Sequence, residues 1–225
     1  MAAQITELIT PQGNFSLVRD KIAVILAEEL AQQQSIAPGK GGSADNYKAD
    51  VYTERFIPFE KFLNNPSVAN QFPIINVWFD SSDFDKTSSN SFERQTSKSI
   101  YNIDIYGYGQ STETAEGHDP GDMLAAINVQ RISNVCRAIL MSPPYVKLDL
   151  LGLVGDRWVS TITQFQPEFG AMPVEKVIAN RLTVAVSFNE FAPQYEAETI
   201  SEIAVDIIRD SDGKVLAQVE YDFDS

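Results

Sequence analysis

One histidine and one cysteine stand in a chain of 225 residues, so nucleophilic chemistry has a single pairing to offer, Cys136 with His118 as its base. A reactive thiolate needs an exposed, electropositive site, whereas Cys136 falls in the middle of an apolar helical stripe, which makes it a core residue. His118 stands near Glu116, Asp119 and Asp122, a set that can be drawn as a metal cluster; around a helix start the same residues serve capping without any ion. The run PGKGGS at 38–43 lacks the G-x-x-x-x-G-K-S/T spacing that lets backbone amides cradle a phosphate ahead of a helix, and reads as a loop. DSDG at 210–213 lacks calcium ligands, because an EF-hand would need an acidic first ligand where Ile208 stands and a bidentate Glu where Val219 stands. Trp78 and Trp158 lie in strand patterns and read as core rather than as stacking platforms. The other carboxylates are scattered, which leaves an acid–base pair open, since spacing along the chain does not say which of them meet in space. No catalytic, cofactor or metal residue is singled out, and the expectation is a protein that is not an enzyme.

The elements that carry these residues centre on a strand and the helix after it. In SIYNIDIYGYG at 99–109, Tyr101, Ile103 and Ile105 alternate with Asn102 and Asp104, the period-two pattern of a half-buried strand. A polar connection follows, then Asp119 as a cap, Pro120 as the first helical residue and Asp122 in the first turn. Leu124, Ile127, Ile132, Val135, Cys136, Ile139 and Leu140 form its stripe, and Pro143 and Pro144 end it. An earlier helix at 15–34, capped by Asn14, carries Leu17, Val18, Ile22, Ile25, Leu26 and Leu30. Residues 32–46 read as a loop.

Strands are expected around 51–57, where Pro58 breaks the pattern, and at 72–80, 145–153, 157–165 and 182–189. The segment at 157–165 carries large residues toward both faces, as a strand buried on two sides or a bulged one. The serine-rich stretch at 81–98 is either a flexible connection or a hairpin extension that grips a partner, with Phe84 and Phe92 as its anchors. After Pro193, the turn SDG pairs Asp210 with Lys214 and sets Ile207 opposite Ala217, Val205 opposite Val219 and Ile203 opposite Tyr221. A lone two-stranded hairpin is marginal in water, so this one must dock on its own sheet or on another subunit. The fold class is α+β: a predominantly antiparallel β-sheet packed by two amphipathic helices over residues 1–193, with a C-terminal β-hairpin arm at 194–225.

Composition is that of a folded globular chain, with 44% hydrophobic and 21% charged residues. The N-terminus shows no basic region leading into a hydrophobic core, and no apolar run reaches membrane-span length, so neither a signal peptide nor a membrane protein is expected. A single cysteine fits a reducing compartment or a protein with no need of disulfides. A net charge of −14, from 17 basic and 31 acidic residues, argues against gripping nucleic acid. The acidity serves solubility, or lines a wall past which DNA slides without sticking.

The order of helix, strand PIINVWF, long insertion, strand SIYNIDIYGYG, helix MLAAINVQRISNVCRAILMS, then RWVSTITQF and RLTVAVSFNEF resembles the tail terminator, or tail completion, proteins of tailed bacteriophages over 15–193. The resemblance implies a structural virion protein without active site, cofactor or metal. It implies a homo-oligomer, a hexameric ring, that caps the head-proximal end of the tail, ends tube polymerisation and joins the neck. Its partners would be the tail tube protein, the sheath protein of a contractile tail and the neck or connector proteins. DNA would pass through the ring without specific binding, no membrane would be involved, and assembly would take place in the host cytoplasm. The serine-rich insertion and the hairpin depart from the family pattern. Candidate subunit or partner contacts are Phe84, Phe92, Ile203, Val205, Ile207, Val219 and Tyr221. The rival readings are a neck or head-completion connector, a small hydrolase with an unrecognised carboxylate pair, and a monomeric binding module.

Overall fold

The middle of the sheet is a 15-residue strand, β3 (Arg94–Tyr108), and almost everything else is placed by what lies on its two sides. A computed structural model describes residues 8–9, 11–64, 71–84, 94–114, 117–169, 172–173, 177–191, 202–208 and 215–222. Around β3 run β1 (Asp50–Thr53), β2 (Ile74–Phe84), β9 (Val177–Phe191) and β6 (Val154–Phe165), in the order β1-β2-β3-β9-β6. All neighbours are antiparallel except β1 and β2, which are parallel and joined by a crossover that includes the short helix α2 (Glu60–Asn64). Small hairpins are formed by β4 (Thr112–Thr114) with β5 (Gly117–Asp119) and by β7 (Glu168–Phe169) with β8 (Met172–Pro173).

One sheet face is covered by α1 (Asn14–Ile36) and α3 (Gly121–Met141). Val18, Ile22, Leu26 and Leu30 of α1 and Val129, Ile132, Cys136 and Leu140 of α3 bury against Ile75, Val77, Tyr101, Ile103, Ile105, Leu182, Val184 and Val186. This is the α+β architecture expected, a mostly antiparallel sheet under two amphipathic helices, with α2 as a third, short one. The buried stripe of α3 is drawn tighter than the apolar pattern suggested. Gly121, Ala125, Val129 and Ser133 face the sheet, while Ile127 is about half exposed. Small residues win there because the end of β3 passes close beneath.

Several local expectations change. Residues 145–153 are not a strand: Pro143 and Pro144 launch a 3-10 turn (Pro143–Tyr145), and Leu148 and Asp149 take φ of 49° and 56°. A chain of turn hydrogen bonds follows, and it buries Leu148 completely. Asp119 does not cap α3, because it is held in the β4–β5 ladder opposite Thr112. The Ser111 hydroxyl accepts from the Gly121 amide at 3.2 Å instead, and Asp122 accepts from the Met123 amide at 2.9 Å. Helix α1 runs on to Ile36, and the stretch read as a loop after it holds two 3-10 turns, Ala37–Lys40 and Ala44–Tyr47.

The chain divides into two compact units, Gln12–Ala192 and a second made of Met1–Pro11 with Pro193–Ser225. The second contains the antiparallel pair β10 (Glu202–Ile208) and β11 (Val215–Asp222). Ile203 lies opposite Tyr221, Val205 opposite Val219 and Ile207 opposite Ala217, the register derived from the turn. One shift intervenes next to Ile207, so Ile208 meets Val215. The expected pairing of Asp210 with Lys214 lies outside the described residues.

Cys136 is fully buried beneath α3, and burial pushes its thiol up to about 12 from 9.0. A group whose folded pKa is raised adds stability that is complete below its unfolded value and is lost as pH rises through the folded one. Stability is therefore expected to fall between pH 9.0 and about 12. Cys136→Val removes this contribution, so thermal melts of the two proteins across that range should show a shallower alkaline decline for the variant.

Candidate functional site

The second sheet face carries no long helix, and the residues expected to be its solvated side are largely buried. Asn102 and Asp104 of β3 are almost inaccessible, so the central strand is covered on both faces. At one end the cover comes from the β1–β2 crossover, whose Phe59 and Phe62 pack on Tyr106 and Tyr108 with ring centroids 5.2 and 5.6 Å apart. Asn76 fixes the start of that crossover: its side chain accepts from the Arg55 amide and donates to the Arg55 carbonyl, both at 3.0 Å.

Beside this satellite core lies an open depression of about 380 Å³, lined by Glu54, Arg55, Phe56, Asn76, Trp78, Asp104, Tyr106 and Arg181. Asp104 is its hub. Oδ1 accepts from Arg181 Nε at 2.7 Å; Oδ2 accepts from Arg181 Nη2 at 2.8 Å, Trp78 Nε1 at 3.0 Å and Tyr106 Oη at 3.3 Å. The guanidinium of Arg181 also sits over the rings of Trp78 and Phe165, 4.9 and 5.2 Å from their centroids. Hydrogen bonding to Asp104 raises the Arg181 pKa against the opposing effect of burial. The Tyr106 hydroxyl is raised by burial first and by the Asp104 charge second.

Two carboxylates, Glu54 and Asp104, thus border one depression, the arrangement an acid–base reading would look for. Asp104 is engaged on both oxygens, with three donors on Oδ2 and one on Oδ1, and the Arg181 guanidinium spans the two. Glu54 is engaged as well. It lies just past the end of β1 at φ 52°, and its Oε1 accepts from the Phe79 amide at 3.0 Å and from Arg19 at 3.1 Å. That carboxylate takes the place of a strand partner on β2. The depression holds a hydrogen-bonded polar network beside one fully displayed aromatic, Phe56, 97% exposed.

Trp78 and Trp158 are half-buried on this face rather than in the core, each beneath a cation: Arg181 over Trp78, and Lys98 over Trp158 at 5.0 Å. His118 is exposed and contacts Glu113 at 3.1 Å, in the β4–β5 hairpin. Among the described residues no three His, Cys, Asp or Glu side chains converge to hold a metal ion, and no helix is long and apolar enough to cross a membrane.

Of the candidate contacts, Phe84 ends β2 opposite Ser97 and is 46% exposed. The pairs from Ser81↔Ile100 to Phe84↔Ser97 make the start of the serine-rich insertion a hairpin extension of β2 and β3. Phe92 lies outside the described residues. Ile203, Val205 and Ile207 share one face of β10–β11 with Val219 and Tyr221 through the register given above. Sequence reasoning missed the opposite edge of the sheet. There β6 offers 12 residues, bulged near Val154 and near Val159, and nothing among the described residues pairs with its outer side. Ile162 on it is 45% exposed. Large residues in β6 face both ways because it is a bulged edge, not because it is buried on two sides.

No protein-family model matches the chain, and no curated protein matches it significantly.

Proposed function

We propose that the chain is a structural subunit of a phage tail, assembling as a ring that caps the head-proximal end of the tail tube and offers a surface to the neck. The observation that carries this reading is the open β6 edge. Bulges blunt an edge strand locally, yet β6 keeps 12 residues with no described partner on its outer side, and an unpaired strand of this length is a template for another chain. The β10–β11 pair adds to it, since two strands alone are marginal and call for a partner. The phrasing of the main strands and helices resembles tail terminator proteins, and a net charge of −14 lets DNA pass near without adhering.

In such a ring, work is done by geometry. Heterologous contacts between identical subunits close when the rotation returns to its start, and a closed ring has two different faces. One face matches the last layer of the tube. The other does not repeat the tube surface, so growth stops, and the neck binds there. The sheath of a contractile tail would meet the outer rim.

The test is electron microscopy of the purified protein with tail tubes from the same source, together with its mass by light scattering. Rings at one end of each tube, and a particle of about six 25.0-kDa chains, are the expected result. Bare tube ends with a constant single-chain mass would remove the reading. Density on isolated portals but not on tubes would replace it with a neck connector.

A further inference from the structure

The charges of this acidic chain are unevenly placed. Between Pro193 and Ser225 there are nine acidic residues and two basic ones, half of the whole net charge in that segment. Glu202 faces Asp222, and Glu220 and Asp206 follow in register on the side of the hairpin opposite Ile203, Val205 and Ile207. By register the hairpin sets its apolar residues on one side and its carboxylates on the other, and among the described residues β10 and β11 pair only with each other.

The first half of β6 has the complementary character. Lys98 lies over Trp158, Lys147 donates to the Gly155 carbonyl, and Arg157 donates to the carbonyls of Tyr145 at 2.7 Å and Ser142 at 3.0 Å. Among the described residues none of the three is ion-paired, although most described cations elsewhere are, among them Arg19, Lys21, Lys48, Arg55, Lys61 and Arg181. Three cations outside any described ion pair therefore flank one open strand, which itself carries Asp156, with Ile162 exposed further along it.

We propose that the open edge of β6 binds the acidic C-terminal hairpin of a second copy of this chain, which adds to the sheet as further strands. Strand addition satisfies the free backbone groups of both edges, continues the apolar side of the hairpin beyond Ile162, and brings its carboxylates to the other side, where Lys98 lies over Trp158. This deepens the ring reading and rests on it, because each copy then gives an arm to one neighbour and receives one from the other.

A photo-crosslinking residue in place of exposed Thr161, in the full-length chain, reads the contact without assuming a register. Mixing this probe chain with isotope-labelled unmodified chain tells the two sources apart. The expected product joins Thr161 of the probe chain to a peptide from 202–222 of the labelled chain. Lys98→Glu with Lys147→Glu should lower its yield about tenfold, and Glu202→Lys with Glu220→Lys in the labelled chain should restore it. Crosslinks only within one chain overturn the proposal, as do crosslinks to any other segment or none at all. Rings seated on tubes without this crosslink sink the docking and spare the ring; the crosslink without rings on tubes does the reverse.

Discussion

Replacing Arg181 by leucine is expected to lower the unfolding free energy by about 2–3 kcal/mol, and adding Asp104→Leu in the same chain to return most of the loss. The asymmetry follows from where each charge sits. The Asp104 side chain is 3% exposed and the Arg181 side chain 38%, so the single variant strands a buried carboxylate, while the guanidinium it loses was partly solvated. Breaking a fully buried pair costs about 3–5 kcal/mol, and solvent at the Arg181 end takes the value below that. Trp78 and Tyr106 still donate to Asp104 in the single variant, but neither supplies a charge. In the double variant no charge is left, and leucine packs against the rings of Trp78 and Phe165 that Arg181 covered. About 1 kcal/mol or more remains unrecovered, since the buried Tyr106 hydroxyl and the half-buried Trp78 indole have both lost their acceptor. Urea unfolding of the wild type, both single variants and the double measures the coupling. Additive losses would show that the two side chains do not act as a pair.

The same cluster shows where sequence reasoning runs out. Alternation along β3 correctly separated Tyr101, Ile103 and Ile105 from Asn102 and Asp104, because that period is a local property of the strand. It assigned Asp104 to solvent, because what covers the carboxylate is not local. Arg181 is 77 residues away, and the cover at the Tyr106 end arrives with a crossover carrying Phe59 and Phe62. The hairpin register of β10–β11 was legible for the opposite reason: a short turn with glycine at its end dictates the pairing of the strands beside it. Residues 145–153 misled because Val146, Leu148 and Leu150 imitate strand alternation, whereas the two prolines before them start a turn that positive φ at Leu148 and Asp149 continues. The β6 edge could not be read from its own residues. Large side chains toward both faces suit a strand covered twice as well as a bulged one at the border of the sheet, and only strand order separates the two.

Gly109→Ala should cost about 3 kcal/mol, the other large effect, and it separates loss of fold from loss of assembly. A Cβ on Gly109 would meet the Gly121 carbonyl and the Ala125 amide of α3, the latter at 2.8 Å. These are backbone atoms in the first turns of a helix, so no rotamer change relieves the clash, and α3 must lift off the end of β3. Gly121 faces the same limit from the other side, with the Gly109 carbonyl and the Ser111 amide close to where its Cβ would be. The same approach explains why α3 presents Gly121, Ala125 and Val129 to the sheet in place of its larger apolar residues. For a domain of this size the loss corresponds to a melting temperature lower by roughly 6–12 °C, readable by calorimetry. Lys98 is exposed and Lys147 half-buried, and among the described residues neither is ion-paired, so their charge reversal should move the melting temperature far less. If assembly depends on the β6 edge, Gly109→Ala reduces it only in proportion to the fraction of chain unfolded, while the lysine variants lower it about tenfold in a folded protein. Equal loss of assembly per degree of melting temperature in both sets would mean that the edge has no special part, and that self-association simply follows stability.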